Sequence, residues 1–101
     1  MGGGTLASVE KIAYMNLLQD HVKSGWRWIP GNDHFTAEVR VRLLPTGQIN
    51  DVWIERSSGN SNFDDSVVRA VRKADPVPPP PEKFYDEFSD VRFVFDSHEN
   101  R

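Results

Sequence analysis

From Phe35 to Leu43 apolar and polar residues alternate without a break. Phe35, Ala37, Val39, Val41 and Leu43 share one face, and Thr36, Glu38, Arg40 and Arg42 share the other. A period of two predicts a strand with one buried and one wet face. Pro45–Thr46–Gly47 then reads as a tight hairpin turn, with Gly47 supplying a positive φ. Ile49 to Arg56 is the return strand. Its alternation is imperfect around Val52, Trp53 and Ile54, which predicts a bulge near Asp51 or Val52. A third alternating run covers Asp90 to Asp96. There Val91, Phe93 and Phe95 oppose Arg92, Val94 and Asp96.

Two stretches change period. In residues 5–24, Leu6, Val9, Ile12, Ala13, Leu17, Leu18 and Val22 recur at steps of three and four, which predicts a helix with one apolar stripe. Thr5 or Ser8 is the expected cap and Gly25 the expected stop. The second helix is predicted over about Asn62 to Ala74, with Phe63, Val67, Val68, Ala70, Val71 and Ala74 inward. Ser57–Ser58–Gly59 turns the chain out of the sheet. Ser61 with Asp64 resembles a capping box, and Asp64 and Asp65 suit the positive end of the helix dipole.

The connections are as informative. Trp26, Trp28, Ile29 and Pro30 form an extended segment that reads as a lid on the core rather than an aromatic ligand platform. Gly31–Asn32–Asp33 is a turn. Pro76 to Pro81 must be extended. Lying between two ordered elements, it reads as a stiff crossover rather than an SH3-type ligand. Glu82 to Phe88 is a short helical turn. The order helix, hairpin, helix, strand predicts an α+β domain: a three-stranded antiparallel sheet with two helices packed on one face. Such a sheet has two open edges, and open edges recruit strands unless blocked.

Composition narrows the class. A chain of 101 residues with 38% hydrophobic and 27% charged positions is one ordinary globular domain. A net charge of −3 disfavours nucleic acid or an anionic membrane as the main partner. The chain has no cysteine, which excludes disulfides and cysteine-based zinc sites. No apolar run approaches the roughly 20 residues that span a bilayer. Met1–Gly2–Gly3–Gly4 lacks the features of a signal peptide and reads as an appended scar at residues 1–4. The domain is expected over residues 5–96 and a polar tail over 97–101.

Catalytic chemistry is not expected. His21, His34 and His98 lie in a helix, a turn and the tail, without the spacing of a metal site. A helix N-terminus accounts for Asp64 and Asp65 without an acid pair. Ser57 and Ser58 have no nucleophile elbow, and Gly59 lies in no phosphate loop. No metal and no cofactor is expected.

The run Val52–x–Ile54–x–x–Ser57–Ser58–Gly59–Asn60–x–x–Phe63–Asp64–x–x–Val67–x–x–Ala70–Val71–x–Lys73–Ala74–x–Pro76–x–Pro78–Pro79–Pro80 resembles the C-terminal periplasmic domain shared by the TonB and TolA energy transducers. Val39–x–Val41–x–Leu43–x–x–x–Gly47–x–Ile49 and the closing Phe93 and Phe95 extend the resemblance over about residues 9–96. The long leading helix and the Trp-to-Pro segment are similar to the TolA branch. The Tyr-Pro pair usual in that region of the TonB branch is absent.

The resemblance implies a domain that binds cell-envelope proteins. Its parent would be anchored in the inner membrane of a Gram-negative bacterium and would pass ion-motive force to the outer membrane. TolA-like domains engage TolB and Pal and are exploited by group A colicins and phage coat proteins. The alternative TonB-type domain grips the box of outer-membrane receptors in siderophore or vitamin uptake, and a stand-alone interaction module is a further alternative. By resemblance the gripping edge is the last strand, Asp90, Val91, Arg92, Phe93, Val94, Phe95 and Asp96, with Arg92 and Val94 the exposed candidates for specificity.

Overall fold

In the computed structural model the structure describes residues 2–99, with side chains from residue 7 onward. The elements are α1 (Gly2–Lys23), β1 (Thr36–Leu43), β2 (Ile49–Arg56), α2 (Ser61–Lys73), a 3-10 turn (Glu82–Phe84), α3 (Tyr85–Phe88) and β3 (Asp90–Asp96). The strands form one antiparallel sheet in the order β2-β1-β3. The hairpin therefore occupies one side and the middle, and β3 adds beside β1.

The alternation of β1 and β3 is realised in full. Ala37, Val39, Val41 and Leu43 are buried, as are Val91, Phe93 and Phe95. Against this face lie Leu18 and Val22 of α1 and Phe63, Val67, Ala70 and Val71 of α2, in one continuous core. β2 keeps its apolar side inward through two register shifts opposite Arg42/Leu43 and Glu38/Val39. The first leaves Asn50 unpaired, one residue before the expected site, and sets Ile49 opposite Leu43. The second leaves Glu55 unpaired. Each extra residue resets which side chain points inward.

The stripe expected on α1 is not the one that packs. Only its Leu18 and Val22 are buried; Val9, Ile12 and Leu17 are 56%, 61% and 53% exposed, Ala13 is exposed, and Leu6 lies outside the described side chains. The buried row is Tyr14, Leu18 and Val22, with Met15 against it. α1 carries apolar residues around its circumference, so the spacing admits more than one stripe. Tyr14 belongs to the buried one because its hydroxyl donates to the Pro78 carbonyl at 2.7 Å while its ring meets Phe88 edge-on. The helix also begins earlier than expected, at Gly2, so Ser8 lies inside it and caps nothing. It ends at Lys23, and Gly25 is not in the left-handed conformation.

The corner after β2 is built differently from a capping box. Asn60 is the cap, its Oδ1 accepting the Phe63 N–H at 2.9 Å. Asp64 reaches back instead. It accepts from the Ser57 hydroxyl, from the Ser58 N–H at 3.0 Å and from the Ser58 hydroxyl at 2.8 Å. Burial pushes its carboxyl up, but these three bonds together hold it below the usual carboxylate range. The indole N–H of Trp26 donates to Ser66 at 3.1 Å, and its ring meets Phe63 and Phe95 edge-on. Trp28 packs on Phe35 and Phe63, so both tryptophans cover the core.

The proline segment is part of the core wall. Val77 and Pro80 are buried, and the Val77 N–H bonds the Gly47 carbonyl at 2.9 Å. The segment expected as a polar tail starts fixed, because Ser97 is buried and exchanges two hydrogen bonds with Phe35.

Candidate functional site

The two sheet edges differ in what they offer. On β2 the pleat is interrupted at Asn50 and Glu55. Two of its N–H groups are already taken by carboxylates: Ile49 by Asp75 Oδ1 at 3.0 Å and Val52 by Asp51 Oδ1 at 2.9 Å. Bulges and inward-turned acids are devices that blunt an edge. β3 has neither. Its register with β1 is unbroken from Asp90 opposite Arg42 to Asp96 opposite Thr36.

The direction of each backbone group on β3 follows from that register. Leu43 N–H bonds the Ser89 carbonyl and Ser97 N–H bonds the Phe35 carbonyl, both at 2.8 Å. Alternation along an antiparallel pair then gives Val91, Phe93 and Phe95 to β1 and turns Asp90, Arg92, Val94 and Asp96 outward. The same four residues carry their side chains on the wet face. Buried Val91, Phe93 and Phe95 thus set the position of the edge, while the outward residues supply its hydrogen-bonding groups.

The Asp96 end of this edge is occupied and the rest is open. At the far end Glu99 accepts the Asp96 N–H at 2.9 Å, and its own N–H bonds the Asp96 carbonyl at 3.1 Å. Lys23 of α1 donates to the Val94 carbonyl at 2.8 Å and to Glu99 at 2.7 Å. The N–H and C=O of Arg92 and the N–H of Val94 have no partner among the described residues.

The side chains sort in the same way. The Asp96 carboxylate accepts from His34 at 2.7 Å and from the His98 N–H at 2.8 Å, and these bonds, His34 first, hold it below the usual carboxylate range. Asp90 meets Arg40 at 3.3 Å and Arg42 at 3.7 Å. Arg92 lies 3.4 Å from Glu38 and half-exposed, and Val94 is 44% exposed. Of the seven expected edge residues, Arg92 and Val94 combine open backbone groups with half-exposed side chains, and Asp90 has open backbone groups but a carboxylate held by two arginines. Lys23 and Glu99 were not singled out as edge residues by sequence reasoning; Glu99 follows β3 directly, but Lys23 reaches it from α1, and no spacing signals that.

No group of three or more His, Cys, Asp or Glu able to hold a metal ion is present among the described residues, and no helix among them is long and apolar enough to cross a membrane. The arrangement is suited to pairing main chain with an extended segment.

The Tol-Pal system protein TolA of Pseudomonas aeruginosa is 36% identical over 64 residues, covering 62% of this chain and 18% of that protein. The solution structure of TolAIII bound to a peptide derived from the N-terminus of TolB superposes with a TM-score of 0.70 and 31% identity, over 80% of this chain and 69% of that one. The family model for the TonB C terminal matches residues 12–95, from the middle of α1 through Phe95 of β3, and with that span and those TolA relatives the chain belongs to the TonB C-terminal family, on its TolA-like side.

Proposed function

We propose that this chain is the periplasmic C-terminal domain of an inner-membrane-anchored energy transducer of the TolA type. It grips an extended segment of a cell-envelope protein along β3 and passes ion-motive force toward the outer membrane. The observation that carries this reading is the contrast between the edges: β2 is bulged and acid-capped at Ile49 and Val52, whereas β3 is regular and open at Arg92 and the Val94 N–H. A peptide laid on β3 gains main-chain hydrogen bonds at Arg92 and Val94, and side chains at alternate positions meet the wet face. Bonds arranged along a strand share a load applied along it, which suits a domain that transmits a pull. The TolAIII structure in complex with a TolB-derived peptide supports a TolB-type partner.

The test is a titration of the 15N-labelled domain with a peptide from the N-terminus of TolB. Amide shifts centred on Asp90, Arg92 and Val94 are expected. Shifts confined to the outer edge of β2, or to α1 with β3 unmoved, would overturn the reading.

A further inference from the structure

Lys23 and Glu99 do to the far end of β3 what a paired strand does. A docked strand offers an N–H to the Val94 carbonyl and a carbonyl to the Asp96 N–H. Here the Lys23 ammonium takes the first at 2.8 Å and the Glu99 carboxylate takes the second at 2.9 Å. The two side chains also bond each other at 2.7 Å, with only 20% and 29% of their side-chain surface exposed, and Lys23 lies over the Phe95 ring at 5.1 Å. The Glu99 N–H closes the Asp96 carbonyl as well.

We propose that Lys23 and Glu99 form a charged clip that occupies the β3 edge from Val94 to Asp96 in the free domain, so that a partner strand either stops short of Asp96 or must displace the clip. This rests on β3 being the docking edge. The clip leaves a window at Arg92 and the Val94 N–H, where pairing can start. It also protects the flat end of the strand from pairing with the wrong chain, which is how natural edges use lysine. Because both members are charged, the clip competes with the neutral main chain of a partner and is weakened by salt. Lys23 is the last residue of α1, so opening the clip also frees the end of that helix from the sheet edge.

The experiment compares Lys23→Met and Glu99→Ala with the unaltered domain and with Lys23→Arg, which keeps a donor over the ring. The probe is the TolB N-terminal peptide. Both opening variants are expected to bind roughly two- to five-fold tighter, the range set by losing one partly exposed ion pair, with Lys23→Arg unchanged. Peptide-induced shifts should stop before Asp96 in the unaltered domain and extend through it in the variants. Equal affinity and equal footprints overturn the clip.

Amide exchange in the free domain separates the two ideas. The Asp96 amide is expected to exchange more slowly than the Val94 amide, and Glu99→Ala to abolish the difference. If the peptide never touches β3 the docking reading fails, and the clip is decided by this exchange alone. An Asp96 amide as fast as that of Val94 overturns it.

Discussion

Gly47 and Val77 are joined back to back: the Val77 N–H bonds the Gly47 carbonyl at 2.9 Å, and a Cβ built on Gly47 would stand 2.1 Å from the Val77 oxygen. The glycine is also held at φ +93°. The hairpin tip is thereby seated on the proline crossover that delivers the chain to β3. Gly47→Ala combines a left-handed backbone with a clash against main chain, which cannot swing away as a side chain would. A loss of at least about 2 kcal/mol is expected. Urea denaturation measures it, and a change below about 0.5 kcal/mol would show that the turn can slide off the crossover.

Tyr14 anchors α1 to the same crossover. Its hydroxyl is pushed up to about 12 by burial, and it donates to the Pro78 carbonyl. A folded-state pKa above the unfolded value favours the protonated folded form. The stability tied to this group is therefore complete below about pH 10 and is lost as the pH rises toward about 12. Tyr14→Phe is expected to cost about 1–2 kcal/mol at neutral pH, because the Pro78 carbonyl loses its donor. It should also flatten the fall of stability between those two values. An alkaline limb equally steep in both proteins, read by thermal melts at stepped pH, would assign it to other groups.

Tyr14 also shows where the sequence stops being readable. The strands β1 and β3 were legible because alternation over seven or more residues admits one inward face. On α1 the apolar residues encircle the helix, and a tyrosine is not an obvious core residue until the carbonyl that receives its hydroxyl is in place. The corner at Ser57–Asp65 was legible as a strand exit and a helix start. The assignment of roles within it was not, since Asn60 and Ser61 are both good caps and only the fold decides which lies outside the first turn. The β3 edge came from family resemblance. What sets the two edges apart are contacts between residues far apart in the chain: Asp75 takes the Ile49 N–H on β2, and Lys23 takes the Val94 carbonyl at one end of β3.

Asp64 carries an acid-side prediction. Its carboxyl is held below its usual range, so its contribution is present above the unfolded value, about pH 4, and is lost as the pH falls through the lower folded one. Asp64→Asn is expected to destabilise the corner at neutral pH and to remove part of the acid slope. Asn60→Ala should cost about 1 kcal/mol with no change in that slope, since a neutral cap does not titrate. Acid titrations followed by circular dichroism distinguish the two. If Asn60→Ala altered the slope as much as Asp64→Asn, the dependence would not belong to the Asp64 carboxylate.

A proline scan of β3 separates edge from ladder. The N–H groups of Arg92 and Val94 face outward, while that of Phe93 lies in the bonded pair with Val39. Proline is tolerated on an edge strand where its missing N–H faces solvent. Arg92→Pro and Val94→Pro are therefore expected to keep the fold, with a melting temperature lowered by a few degrees at most, and to abolish peptide binding. Each removes a main-chain donor and places a ring where the partner strand would lie. Phe93→Pro breaks the bond to β1 and removes a buried ring, so a loss of several kcal/mol is expected, enough to unfold a domain of this size. Arg92→Ala and Val94→Ala keep the donor and should weaken binding only modestly, since they change the wet face alone. Full binding by both proline variants would mean that the partner holds side chains rather than the β3 main chain, and the grip would have to be sought on another face.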